Sequence, residues 1–279
     1  MRFDFHKYKN FLECPKKYHL RDIRTPILTP KNAYYQVAGE LVQKFFEMYS
    51  NLWIEQDIVF DRERVRNRMK PYWEHLLLKN RVDWGHPMSK LGEVDLFLEC
   101  VDTILDNLAK LDVYKDTRSE VKLEVNLKSG DTLVGKIDFI TDDGKNVSIL
   151  DGKNSATKGK YVDERQLLFY ALLYKFRYGR LPDKLGFLYY KYQELVPIVF
   201  TSRDVDDLWR DIIRVMVTIK KTKVFTPTPC SKACKMCDYL EQCPEGQADM
   251  ASRKRGPRKE KVIEVSSKSE ETGVFFIKL

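Results

Sequence analysis

Residues 133–170, LVGKIDFITDDGKNVSILDGKNSATKGKYVDERQLLFY, read as strand, tight turn, strand, loop and helix. The first strand, Leu133 to Ile140, carries Asp138 near its end. Asp142, Asp143 and Gly144 mark the turn, because Asp-Gly pairs favour the mirror-image turns that close hairpins. The second strand, Val147 to Leu150, delivers Asp151, with Lys153 two residues on. The helix that follows holds Gln166 and Tyr170 one turn apart, on one face. Two acids and a lysine at one end of adjacent strands suit hard-cation chemistry, since carboxylate oxygens hold Mg²⁺ or Mn²⁺ better than sulfur or imidazole does. Such an ion polarises a phosphoryl oxygen and acidifies a bound water. A lysine beside it orients that water or stabilises developing negative charge.

The pattern Asp138-x12-Asp151-x-Lys153 resembles the active-site signature of the PD-(D/E)XK nuclease superfamily. Gly135-x-Ile137-Asp138 before it and Gln166-x-x-x-Tyr170 after it are similar to the branch holding RecB- and AddB-type nuclease domains and the iron–sulfur exonucleases of CRISPR adaptation. A D-x-K triplet alone equally fits strand-end acids beside a solvated lysine; the ordered combination favours the nuclease. The resemblance implies an α/β, restriction-endonuclease-like fold, a mixed central sheet flanked by helices. It implies metal-dependent hydrolysis of DNA, exonucleolytic on single strands or ends, in recombination, repair or processing. Asp138 and Asp151 would bind Mg²⁺ or Mn²⁺, and Lys153 would serve the water or the phosphate. The alternative is a catalytically weak DNA-binding or assembly subunit of a recombination or CRISPR-adaptation-like complex.

Its best support is a departure from the family. Gly39-x-x-x-Gln43, in a helix over 33–50 with Val37, Leu41, Phe45 and Met48 as its core stripe, falls where the resembling families carry Gly-x-x-x-His. Gln43 offers only a neutral amide oxygen as an auxiliary ligand. Residues 119–128 alternate as a strand, with Glu120, Lys122, Glu124 and Asn126 on one face. The resemblance implies an acid from this strand near the metal, and Glu124 is the better placed candidate. It also implies that Gln166 and Tyr170 support substrate or the metal shell. Lys158 and Lys160 extend a positive loop suited to phosphate. Tyr189, Tyr190 and Tyr192 suit either base stacking or packing.

Three cysteines crowd residues 227–246 as Cys234-x-x-Cys237-x5-Cys243, with Cys230 just upstream. Pro and Gly punctuation makes this a loop-rich knot, too dense in thiols for core packing. A local Cys230/234/237/243 site suits zinc or iron–sulfur. The resemblance favours a [4Fe–4S] cluster on Cys14, Cys234, Cys237 and Cys243, with Cys230 the alternative ligand. Cys14 lies at a Pro interruption of an amphipathic segment, 5–24, whose Tyr8, Phe11 and Leu12 share a face. Cys100, in an apolar helical stripe, reads as core.

The 279 residues carry 49 Lys and Arg against 41 Asp and Glu, net +8, a basic excess compatible with a polyanionic partner. No apolar run reaches bilayer length and the first ten residues, MRFDFHKYKN, lack a signal peptide's apolar core, which predicts a cytoplasmic protein without membrane contact. The expected organisation is one nuclease domain over 1–246, with a helical insert at about 51–115 divided or kinked at Pro71. The insert's Arg62, Arg64, Arg66, Arg68 and Lys70 form a basic surface. Residues 247–279 read as a basic linker and flexible tail, whose apolar end suits a protein partner or an added strand.

Overall fold

The computed structural model describes residues 1–24, 31–52, 60–79, 81–83, 92–110, 117–155, 157–159, 162–235 and 237–252. The chain runs β1 (Arg2–Phe3), α1 (Phe5–Glu13), α2 (Pro15–Tyr18), a π-helical turn, β2 (Lys31–Ala33), α3 (Tyr34–Leu52), α4 (Arg62–Lys79), β3 (Arg81–Asp83) and α5 (Glu93–Lys110). It continues with β4 (Thr117–Asn126), β5 (Thr132–Asp142), β6 (Val147–Lys153), α6 (Arg165–Tyr178), β7 (Lys184–Tyr189), β8 (Glu194–Ile198), α7 (Ser202–Lys221), α8 (Ser231–Lys235) and α9 (Pro244–Ser252).

The sheet is mixed. β4, β5 and β6 run antiparallel in turn, β6 pairs parallel with β7 across the α6 crossover, and β8 closes the far edge antiparallel. The β5–β6 connection is a four-residue loop, 143–146, that includes Asp143 and Gly144 of the expected turn while Asp142 ends strand β5. Asp143 Oδ1 accepts from the backbone N–H groups of Lys145 (2.8 Å) and Asn146 (2.7 Å), and Gly144 supplies the positive φ of 81°. This Asx cap satisfies the loop donors locally.

Two cores cover the two faces of the sheet. Ile137, Ile140, Ile149 and Phe187 pack with α1, α6 and α7, whereas Phe139, Leu150, Leu188 and Tyr190 pack with α3, α4 and α5. Helix α6 is buried around most of its girth, through Leu167, Phe169, Tyr170, Ala171, Leu172, Leu173 and Tyr174, and stops at Gly179 with φ 76°. Phe176, in the last turn of the helix, is 39% exposed, its ring edge-on to Trp209. Helix α7 opens on a capping box, in which Thr201 Oγ1 accepts from Asp204 N and Asp204 Oδ2 accepts from Thr201 N at 2.7 Å. Its buried Val205, Leu208, Ile212, Val215, Met216 and Ile219 keep the helical period.

The segment expected to be a helical insert holds α4 and α5 but also β3, which pairs parallel with β2. Helix α4 runs unbroken past Pro71. In α1, Tyr8 and Phe11 are buried while Leu12 is 46% exposed, so the apolar face is narrower than its spacing predicts. Among the described residues no helix is long and apolar enough to cross a membrane. Lys160 and the tail from residue 253 lie outside the described residues.

Candidate active site

Strand β5 has β4 along the whole of one edge. On the other edge β1 pairs at Thr132 and Leu133, and β6 pairs from Phe139 to Asp142. The last β5–β6 pair before the strands part is Phe139↔Leu150. Asp138 and Asp151 are the next residues on either side of that fork. Beyond it β6 follows β7 instead, in the register Asp151↔Phe187 to Lys153↔Tyr189. The site is a split in the sheet lined by its own backbone, and Gly152 N donates across the split to Asp138 Oδ2 at 2.8 Å.

Both glycines of the motif answer to packing. A Cβ on Gly135 would enter the Leu173 side chain of α6, so glycine lets that helix lie close on β5. A Cβ on Gly152 would collide with Tyr190 Oη and Gln43 Oε1. Gly152→Ala is therefore expected to lower stability by about 1–3 kcal/mol through overpacking. It should also reduce cleavage more than that loss accounts for, since it displaces the N–H held by Asp138. Thermal melting beside a cleavage assay checks this; equal activity with lower stability would sink it.

Asp151 is 1% exposed and ion-paired to Lys153, and its Oδ2 accepts no other hydrogen bond. Burial, then repulsion from Asp151, pushes the Asp138 carboxyl well above the ordinary range, offset in part by the Gly152 hydrogen bond. Burial alone would lower Lys153, but the attraction of Asp151 outweighs it and holds the ammonium above its usual value. Tyr170 is buried, and burial together with both aspartates raises its phenol, so it stays protonated. Gln166 Nε2 donates to its hydroxyl at 3.0 Å. Buried carboxylate oxygens with amide and phenol neighbours are the donor set that suits Mg²⁺ or Mn²⁺. Among the described residues no three acidic, histidine or cysteine side chains already converge as a metal site. Each central carboxylate is instead occupied, Asp138 by an N–H and Asp151 by an ammonium.

Gln43 lies at this centre. Its Oε1 accepts from Tyr190 Oη, and its Nε2 lies 3.4 Å from Glu120 Oε1. Glu120 is the β4 acid that lies beside Gln43. Glu124 is exposed, paired to Arg2 at 2.8 Å and to Lys122, which hold its carboxyl low, at about 2. Glu120 has φ 54°, a conformation that costs a non-glycine residue about 1–3 kcal/mol. The β4–β5 ladder runs from Thr117↔Thr141 to Asn126↔Thr132 and omits one rung, Glu120 opposite Asp138. Faces switch there. Val121 and Ile137 pack towards α6, while Phe139 packs in the α3-side core and Ser119 Oγ donates to the Glu47 carbonyl of α3 at 3.0 Å. The ladder is centred on Ser129, with Asn126 against Thr132, and counting outward from that residue sets Glu120 against Asp138.

Around the centre, Lys158 is ion-paired to Glu194 and sits 4.6 Å from the Tyr192 ring centroid. Tyr189 and Tyr190 are buried, at 2% and 1% exposure, so they pack instead of offering faces to bases; Tyr192 remains 41% exposed. The basic residues of α4 are exposed, with Arg62 paired to Asp102.

A second cluster lies at the chain's two ends. Cys14, Cys234, Cys237 and Cys243 line one small cavity together with Pro227, Tyr239 and Gly246. Thr228 N points at Cys14 Sγ and Gly246 N at Cys243 Sγ, each at 3.4 Å. Cys230 is exposed and outside that lining. Cys100 is core, its thiol raised by burial to about 12.

In comparison with known proteins, the sequence profile of the PD-(D/E)XK nuclease superfamily matches residues 3–244. No curated protein matches. Among solved structures, the crystal structure of SSO0001 aligns with 76% of this chain and 98% of that chain, at 16% identity and a TM-score of 0.35.

Proposed function

Because the chain belongs to the PD-(D/E)XK nuclease superfamily, we propose that it is a metal-dependent deoxyribonuclease, an exonuclease acting on single-stranded DNA or DNA ends in recombination, repair or processing. The carrying observation is the fork that brings Asp138, Asp151 and Lys153 together, with Gly152 N on Asp138. Asp138 and Asp151 would hold Mg²⁺ or Mn²⁺, which when bound polarises a phosphoryl oxygen and acidifies water. Lys153 would neutralise charge gathering on the phosphoryl oxygens, its Nζ being anchored beside them by Asp151. Tyr170, kept protonated, donates hydrogen bonds there, with Gln166 fixing its ring. Exposed Tyr192 and Lys158 supply a stacking face and a charge for a strand leaving the fork. Residues 1–246 are read as one nuclease domain, with the basic face of α4 available to the DNA backbone.

End-labelled single- and double-stranded DNA incubated with the full chain tests this. Cleavage is expected with Mg²⁺ or Mn²⁺ and none with EDTA. DNA binding without cleavage under every metal would instead favour the assembly-subunit reading.

We also read Cys14, Cys234, Cys237 and Cys243 as ligands of a [4Fe–4S] cluster that staples the chain ends. Four thiols around one cavity, two of them facing backbone N–H groups, suit it. Reduced thiols fit a cytosolic setting. Anaerobically purified protein should show broad visible absorbance that Cys237→Ser removes and Cys230→Ser keeps. Stoichiometric zinc without sulfide would overturn this reading. The apolar end of the tail remains the candidate contact for a protein partner.

A further inference from the structure

We propose that residues 274–279, VFFIKL, dock on their own chain as a further strand at the free edge of β4, with Phe275, Ile277 and Leu279 in the groove between β4 and α7. The inference is independent of the nuclease reading. The groove measures about 610 Å³, and Val125, Leu127, Phe176, Trp209, Ile213 and Val217 give it an apolar lining. Helix α7 carries two apolar stripes. One fills the core, and Trp209, Ile213 and Val217, four residues apart, form the second beside it. Ile213 and Val217 are 41% and 43% exposed, and Phe176 of α6 adds a third open apolar side chain. Three such side chains around one concavity make a docking face, unlike apolar residues scattered singly. The strand edge beside it is bare. Among the described residues β4 pairs with β5 alone. Leu127 N donates to Asp131 O at 2.8 Å, so the alternate residues Glu124 and Asn126 direct their backbone groups away from β5.

The chain supplies the occupant. Val274, Phe275, Phe276 and Ile277 are β-branched or aromatic, the residue types that favour strands. An extended segment sets Phe275, Ile277 and Leu279 on one face, wholly apolar, and Lys278 on the other. Charge agrees. Glu270 and Glu271 precede the segment, and Lys128 and Lys220 stand at the groove. Lys220 is paired to Asp131, whereas Lys128 is exposed and has no ion-pair partner among the described residues. The reach also suffices. Pro227 and Gly246 line the single cavity of the cysteine cluster. Pro227 follows the end of α7 at Lys221 by roughly 20 Å of chain at most, and Gly246 lies about 9 Å along α9 from Ser252. Residues 253–273 can span about 70 Å, well beyond the sum. Docking within one chain profits from an effective concentration of about millimolar, so one short strand is enough. A bare sheet edge and an apolar, strand-prone segment each invite association between molecules, and here each covers the other. A protein partner of the tail would compete with this seat.

Photo-crosslinking in the full chain tests this, with Ile213 replaced by benzoylphenylalanine and the adducts mapped by mass spectrometry. Position 213 is exposed, so the probe leaves the core intact. The expected adduct joins position 213 to residues 274–279 in a species of monomer size. Ile277→Asp should reduce its yield about tenfold, because a charge replaces an apolar side chain in the groove. Hydrogen exchange gives a second readout. The amides of Glu124 and Asn126 should exchange about tenfold faster in Ile277→Asp than in the wild type, while those of the central strand β6 keep their rates. Adducts that miss residues 274–279, or that form equally in Ile277→Asp, overturn the proposal. Adducts that join two chains and increase with concentration overturn it too, since the groove is then a contact between copies. Equal exchange at Glu124 and Asn126 in both proteins rules out the added strand and the proposal with it.

Discussion

Asp151→Asn is expected to slow metal-dependent DNA cleavage by about 1,000-fold, the equivalent of ~4 kcal/mol of transition-state stabilisation. The substituted amide keeps the shape of a side chain that is 1% exposed at the sheet fork but removes its charge. Both the charged oxygen proposed to hold the cation and the anchor of Lys153 are lost together. The fold should tolerate the change. Removing one member of a buried ion pair usually destabilises strongly because a lone charge remains. Here Asp138 stays beside Lys153, and with all three groups ionised the trio Asp138, Asp151 and Lys153 passes from net −1 to neutral. Relief of the repulsion that Asp151 exerts on Asp138 adds to this. The melting temperature should therefore hold or rise as cleavage collapses. Rates of end-labelled substrate loss beside thermal unfolding check both halves. A variant that cuts at more than a tenth of the wild-type rate would remove Asp151 from the catalytic centre.

Phe139→Ala should have the opposite profile, a large loss of stability that reaches the chemistry only indirectly. Phe139 is 1% exposed in the core shared with α3 to α5, on the last rung before the strands part, opposite Leu150. Truncating a fully buried phenylalanine costs about 3–5 kcal/mol through lost burial and the cavity left behind. For a chain of this size that is a fall of roughly 10 °C in the melting temperature. Because Phe139 follows Asp138 directly, the loosened rung should also weaken Mn²⁺ binding, by less than Asp151→Asn does. Chemical unfolding together with Mn²⁺ titration measures this. A drop below about 1 kcal/mol would mean that the core closes over the cavity and that the fork is not held open by Phe139.

The hairpin and its helix were legible because their signals are local. Turn residues, a two-residue gap between Asp151 and Lys153, and one helical turn between Gln166 and Tyr170 fix relative position without reference to the rest of the chain. The same holds for the cysteine spacing after Pro227. The resemblance carried Cys14 into that group, and Cys14 lines the same cavity as Cys234, Cys237 and Cys243, with Lys16 of α2 paired to Glu245 of α9. What sequence reading left open depends on distant contacts. Tyr189 and Tyr190 suited either stacking or packing, and the fold decides for packing: Tyr189 at the end of β7 and Tyr190 in the turn after it are buried in opposite cores.

The choice between Glu120 and Glu124 is the clearest case. Strict alternation puts both on one face, and nothing local separates them. Strand alternation alone sets which residues share a face. The strained backbone at residue 120, pinned by Ser119 to a helix more than seventy residues away in the chain, breaks that alternation at a single rung. A left-handed φ at a glutamate is unfavourable in isolation and persists only where tertiary packing over-determines it, so the fold alone could set Glu120 beside Gln43 and leave Glu124 exposed beside Arg2.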